Sequence, residues 1–369
     1  MKVALPARCV GFVVLSLAMI VVLNVDSSGE RSKGLDYESA SQMSDHIAQI
    51  VFQCEDEVGF DNICIINSDG SEFLQLTQVV SLRGNYRPII NDVSQIVFRC
   101  RDERFSNNIC MIDSGGSNFM QLTDDTLESG SNVGADINDE GQIAYQCRGD
   151  NGFSDICLVN LDGSGLRQLT SREVLNLAPQ ISNSGQVVHE CLADGTDNIC
   201  LINADGSGFK QLTFITNPIG QEESVDPSIN DFGQIAYLCE DAEGNINICA
   251  VDSDGGSVAQ LTNSTLPATN FDPIINNNGV IVYRCFDEDG IQNICTINFD
   301  GSDFFQVMDF PLQITNLWTR INDSGQIVFN CSERFGEINI CIINADGTGF
   351  MQLTDAPEGH RYFNASISN

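Results

Sequence analysis

The sequence predicts an all-β chain folded as a seven-bladed β-propeller of four-stranded antiparallel blades. Three observations carry that expectation. A unit best seen from Ile327 to Thr354, IVFNCSERFGEINICIINADGTGFMQLT, recurs in six other copies whose first cysteines lie 44 to 48 residues apart. Each copy contains segments with strand character, and a blade of that size buries its apolar faces only against neighbouring blades. The one segment that the first copy lacks is supplied by the last residues of the chain, so the ring closes on itself.

The innermost segment of each unit is read by stacking NYRPIIND, NVGADIND, LAPQISN, VDPSIND, FDPIINN and LWTRIND on their shared Ile. Positions two and four before that Ile are small or apolar, and positions one and three before it vary and are often polar. A period of two is a strand with one packed face. Next come IVFQC, IVFRC, IAYQC, VVHEC, IAYLC, IVYRC and IVFNC, β-branched and aromatic, hence strands. After a polar loop, NIC or DIC opens a third strand that runs into Asp-Gly or a near variant, a pair that accepts the positive φ of a tight hairpin. The fourth strand closes on Gln-Leu-Thr, except that one copy reads Gln306, Val307, Met308.

The combined pattern, P-x-I-N-D-x-G-Q-I-V-F followed by N-I-x-x-I-N-A-D-G-S-x-x-x-Q-L-T, resembles the TolB-type, WD40-like β-propeller repeat over residues 46–369. This chain is a cysteine-containing variant, with Cys at two fixed positions of every unit. The resemblance implies a propeller that serves in protein complexes of the cell envelope. Closure should come from YFNASISN, in which Phe363, Ala365 and Ile367 take the apolar positions and complete the first blade.

Residues 1–27 are a different kind of sequence. Lys2 and Arg8 precede an uncharged run from Cys9 to Val25, the layout of a secretory signal with Val25 and Ser27 as small residues before a cleavage site. Left uncleaved, the segment would be an N-terminal anchor and the route to membrane contact. Residues 28–45 are polar and Ser-rich, a linker. The chain is therefore expected to be exported, periplasmic or extracellular.

The cysteines agree. Apart from Cys9 they form seven pairs, Cys54 with Cys64, Cys100 with Cys110, Cys147 with Cys157, Cys191 with Cys200, Cys239 with Cys249, Cys285 with Cys295 and Cys331 with Cys341. Each joins the end of one strand to the start of the next, where antiparallel Cα atoms lie roughly 4.5–5.5 Å apart and a disulfide can form. Such bridges need an oxidising compartment. Zinc would require four converging thiolates, which pairs in different blades do not supply.

Seventeen basic against 51 acidic residues leave a net charge of −34. That surface repels phosphate backbones, so nucleic acid is not an expected partner. The three histidines, His46, His189 and His360, are read as structural. No G-x-S-x-G elbow, Walker A motif or dinucleotide fingerprint is present. Asp69, Asp162, Asp205, Asp254, Asp300 and Asp346 stand before Gly as turn residues. Calcium is the alternative use of such turns, but each offers about two or three oxygens where calcium takes six to eight. The sequons at Asn263, Asn322, Asn330 and Asn364 would matter only in a eukaryotic secretory pathway.

The function expected from these features is a non-catalytic exported scaffold without a resident cofactor, binding a protein, peptide or glycan through its faces or central channel. The alternative is a metal-assisted lyase or hydrolase acting at the channel, against which the scarcity of His counts. Ligand-binding candidates are the variable inner-strand residues Arg87, Asp136, Asp226, Asp272, Trp318, Arg320 and Asn364. Among them Trp318, the chain's sole tryptophan, beside Arg320 suits a peptide or a sugar face.

Overall fold

The computed structural model describes residues 47–79, 84–124, 132–148, 152–171, 175–193, 195–214, 225–256, 258–264, 270–286, 290–308, 318–332 and 337–369. Residues 1–27 and 28–45, expected to be a signal segment and a linker, lie outside the described residues, as do Cys9 and His46. His46–Asn369 is one compact unit.

Seven four-stranded sheets follow one another along the chain, each antiparallel throughout. The second blade shows the plan: Tyr86–Ile90, Gln95–Arg101, Asn107–Asp113 and Met120–Gln121 pair in that order. In the first blade the inner place is taken by Tyr362–Ile367, with Ile367 opposite Ile50 and Ser366 opposite Val51. This strand also touches the inner strands Tyr86–Ile90 and Thr319–Ile321 on either side, so the inner strands make a closed wall.

Apolar residues on both faces of the second strand follow from that geometry. Ile50 and Phe52 pack with Val328, Ile340 and Ile342 of the seventh blade, while Val51 between them packs with Ile96 and Phe98 of the second. Alternate side chains point to opposite faces, and here each face meets another blade. All three residues are fully buried, each contributing on the order of 1.5–3 kcal/mol by transfer from water.

Blades are also joined by polar contacts that the sequence reading did not anticipate. The backbone N–H of Asp92 donates to Asp139 Oδ1, Asp139 to Asn183, Asn183 to Asp231, Asp231 to Asn277, Asn277 to Asp323, Asp323 to Asn369 and Asn369 back to Asp92, at 2.5–2.9 Å. One residue earlier, Asn91, Asn138, Asn230, Asn276 and Asn322 each donate from Nδ2 to the backbone carbonyl of the next blade. The recurring Asn-Asp after the shared Ile is thus a tie between blades as well as a turn. The signal was visible in the stacked segments, where these two positions admit only Asn, Asp or Ser.

The outermost strands are two residues long and stop at Gln, as in Leu74–Gln75. The Leu-Thr that follows has another role. Thr77 Oγ1 accepts from Ile63 N (2.9 Å) and donates to Asn62 Oδ1 (3.2 Å), while Gln75 Nε2 donates to the Thr77 carbonyl. Where Met308 stands in place of Thr, the Gln306 bond to its carbonyl survives and a buried methionine side chain fills the site.

All seven expected disulfides are formed. Their placement differs from the directly opposed pair anticipated. Cys54 faces Asn62 and Cys64 faces Phe52, so the bridge is diagonal across the ladder, with Cα atoms 5.8–5.9 Å apart. Sheet twist brings one diagonal close enough to bridge.

Candidate binding site in the channel

The inner strands do not keep a simple period of two. A bulge interrupts their pairing between Tyr86 and Ile89, Val133 and Asp136, Leu177 and Gln180, and Phe271 and Ile274. The residue third before the shared Ile has positive φ in six blades, at 38–59°: Arg87, Gly134, Ala178, Asp226, Asp272 and Asn364. Gly, Asn and Asp tolerate this region, which explains part of the variation at the position. Arg87 and Ala178 hold the same conformation without that tolerance.

The bulges turn these side chains into a cavity of about 190 Å³. Of the seven candidates, Arg87, Asp136, Asp226, Asp272, Trp318 and Arg320 line it. Asn364 is not among its lining residues, and its Nδ2 donates to Gln53 Oε1 (3.1 Å) on the neighbouring strand. Arg99 lines the cavity and was missed. It comes from the variable x of I-V-F-x-C, opposite Tyr86. Arg284 holds the same x position in the sixth blade, opposite Phe271. Variation at x was the signal in the sequence.

Trp318 orders two arginines. The guanidinium of Arg320 lies 4.9 Å from its ring centroid and that of Arg87 5.4 Å. Arg99 stacks on Tyr86 at 4.5 Å. Cation–π contacts of this kind fix the plane of the guanidinium while leaving N–H groups free to donate. Burial lowers the pKa of Arg320, with the nearby charges of Asp136 and Asp272 opposing that shift. Burial also lowers that of Arg99, helped by repulsion from Arg87 and Arg101.

The acids of the cavity are held in different ways. Asp136 accepts from the Ile181 N–H across the blade boundary (2.8 Å), and burial pushes its carboxyl up to about 6 despite that bond and the charge of Arg320. Asp272 is paired with Arg284 at 2.5 Å, and Arg284 in turn lies 5.0 Å from the Phe271 ring.

The remaining candidates for chemistry lie elsewhere. His189 is fully buried in place of the strand aromatic, next to Phe209, and desolvation pushes its imidazole down to about 4. The Asp-Gly turns are closed by their own carboxylates, as when Asp69 Oδ1 accepts from Ser71 N (2.9 Å). Among the described residues no three His, Cys, Asp or Glu side chains converge as a metal site. Asn322 and Asn330, two of the sequon residues, are buried.

The chain matches no protein-family profile and no curated protein. Solved structures do resemble it. TolB from Acinetobacter baumannii aligns over 87% of this chain and 67% of its own length, with TM-score 0.52 and 15% identity. A puromycin-hydrolyzing peptidase from Mycobacterium tuberculosis aligns with TM-score 0.62 and 14% identity over 84% of this chain, which spans about half of that enzyme (52%). Oligogalacturonate lyase from Vibrio parahaemolyticus aligns with TM-score 0.58 and 12% identity over 85% of this chain and 88% of that one. The chain is a β-propeller with the TolB-like fold, in a form that carries one disulfide in every blade. Its fold neighbours include an enzyme-linked propeller and a lyase, so the fold alone leaves the function open.

Proposed function

We propose that this chain is an exported, non-catalytic binding protein whose channel cavity receives part of a protein, peptide or glycan partner. The observation that carries the reading is the cluster of Arg87, Trp318 and Arg320 on the wall of one cavity. An ordered aromatic with two guanidiniums against it is the composition of a recognition hot spot. Export is supported by the disulfide in every blade, since such bonds persist only in oxidising compartments.

The test is to replace Trp318 and Arg320 by Ala, confirm unchanged unfolding, and measure capture of partners from the extracellular or periplasmic fraction. Loss of capture supports the cavity as the site. Undiminished capture moves the site to the acidic outer loops.

A further inference from the structure

Arg87, Arg99 and Arg320 each bring five N–H donors to the cavity. Among the described residues the one hydrogen bond these guanidiniums make is from Arg320 Nη1 to the Thr319 carbonyl, at 3.0 Å. None of the three forms an ion pair, and Arg99 Nε is buried without an acceptor. The arginines elsewhere behave differently. Arg104 is bonded to Asp102 and Asp124, Arg361 to Glu55 and Arg284 to Asp272. In a chain with 51 acidic residues and 17 basic ones, acceptors are plentiful. Two guanidiniums without an acceptor and a third with a single one, all on the wall of one cavity, keep donors available for a group from outside.

Local charge states what kind. The cavity is lined by three arginines and three aspartates, and Asp272 is already neutralised by Arg284 behind it. Four guanidiniums against three carboxylates leave one positive charge. A monoanion balances it, whereas a phosphate dianion would be left in excess beside Asp136 and Asp226. The fork of a guanidinium also matches the two oxygens of a carboxylate, and stacking on Trp318 and Tyr86 holds the forks in fixed planes.

We infer that the channel cavity is a carboxylate receptor, in which Arg87, Arg99 and Arg320 bind the single carboxylate of a peptide or of an acidic sugar. This rests on reading the cavity as the binding site and names the group it recognises. Trp318 then acts chiefly as the platform that positions Arg87 and Arg320.

Calorimetric titration of the full chain tests the inference with four matched small probes: N-acetyl-leucine against N-acetyl-leucinamide, and glucuronate against glucose, with inorganic phosphate as a fifth. At least one acid should bind about tenfold or more tightly than its neutral counterpart, and the pair that does so separates a peptide from a sugar source. Phosphate should bind more weakly than that acid. Arg87→Asn keeps a residue that tolerates positive φ, as Asn364 does at the same position in the first blade, and should cost the acid about tenfold in affinity without loss of fold. Arg99→Gln should do the same.

Equal binding of acid and neutral probes, no binding of either acid at millimolar concentration, or acid binding unchanged in both variants would overturn the inference. If the Trp318 and Arg320 variants lose partner capture while acids and neutral probes behave alike, the cavity binds its partner by other means. If the acids bind through these arginines but capture is undiminished, the carboxylate receptor stands and the partner reading falls.

Discussion

Asn369 clasps Asp92 across the closure of the ring: its backbone N–H reaches Asp92 Oδ1 at 2.8 Å and its Nδ2 reaches Asp92 Oδ2 at 2.6 Å. The two residues lie 277 positions apart in the chain. The same Nδ2 also donates to Asp323 Oδ2 at 3.1 Å, so one amide ties the first, second and seventh blades.

Removing Tyr362 to Asn369 should therefore cost far more than a frayed tail. It strips the ladder opposite Ile50 to Cys54, opens the polar ring, and exposes a long edge of unpaired donors and acceptors. Denaturant unfolding should show a loss well above the roughly 1 kcal/mol of an average point mutation, with aggregation of the truncated chain. A truncated chain that unfolds like the full one would mean that closure rests on other contacts.

The ring also predicts an effect for a change of one atom group. Asn277 Nδ2 donates to Asp231 Oδ2 (2.9 Å) and Asp323 Oδ2 (3.0 Å), and Asn183 bridges Asp139 and Asp231 in the same way. Seven is odd, so aspartate and amide cannot alternate throughout, and Asp92 meets Asp139 without an amide between them. Asn277→Asp would place three carboxylates in succession and remove two charge-assisted bonds. The expected loss is roughly 1–3 kcal/mol, smaller at high salt, where these partly exposed charges are screened.

Peptide mapping without reduction should show seven links, each within one blade. Replacing Cys191 and Cys200 together by Ser should cost about 2–3 kcal/mol, the loop-closure value for so short a span, and leave the other six bridges in place. Links between blades, or free thiols among the fourteen in the purified protein, would contradict the diagonal pairing.

Two buried groups should shape the pH dependence of stability in opposite directions. The Asp136 carboxyl titrates at about 6 in the folded chain against an ordinary value of 3.8. The folded state thus binds the extra proton, and stability from this group is full below about 3.8 and is lost as pH rises through about 6. His189 titrates at about 4 against an ordinary 6.5, so its contribution is present above about 6.5 and is lost as pH falls through about 4. Each amounts to about 3 kcal/mol at about 1.4 kcal/mol per pKa unit. Relative to the unaltered protein, Asp136→Asn should gain stability as pH rises from 4 to 7. His189→Phe, the aromatic that Phe52, Phe98 and Phe329 supply in other blades, should gain as pH falls over the same range. Urea midpoints across pH read both, and parallel profiles for the two variants would refute the assignment.

The repeat period, the alternation of apolar residues, the Asp-Gly turns and the spacing of the cysteines sufficed for the propeller, its seven blades, its closure by Phe363, Ala365 and Ile367, and its disulfide pairing. These are consequences of short-range geometry repeated seven times, and short-range geometry is written in adjacent residues. Six of the seven candidate positions reach the cavity because a variable position in a repeat marks the face that packing does not claim. Arg99 also stands at a variable position, but on the second strand, and only the structure shows that it reaches the channel, beside the bulge in Tyr86–Ile90. Nor could the sequence show that Asp92, Asp139, Asn183 and their counterparts form one ring, or that Arg87 and Arg320 converge on Trp318. Residues in different blades are brought together by closure of the whole ring, and that relation has no local signature. Tertiary structure alone decided which charges meet, and with that the grouping of Arg87, Arg99 and Arg320 on the wall of one cavity in an acidic protein.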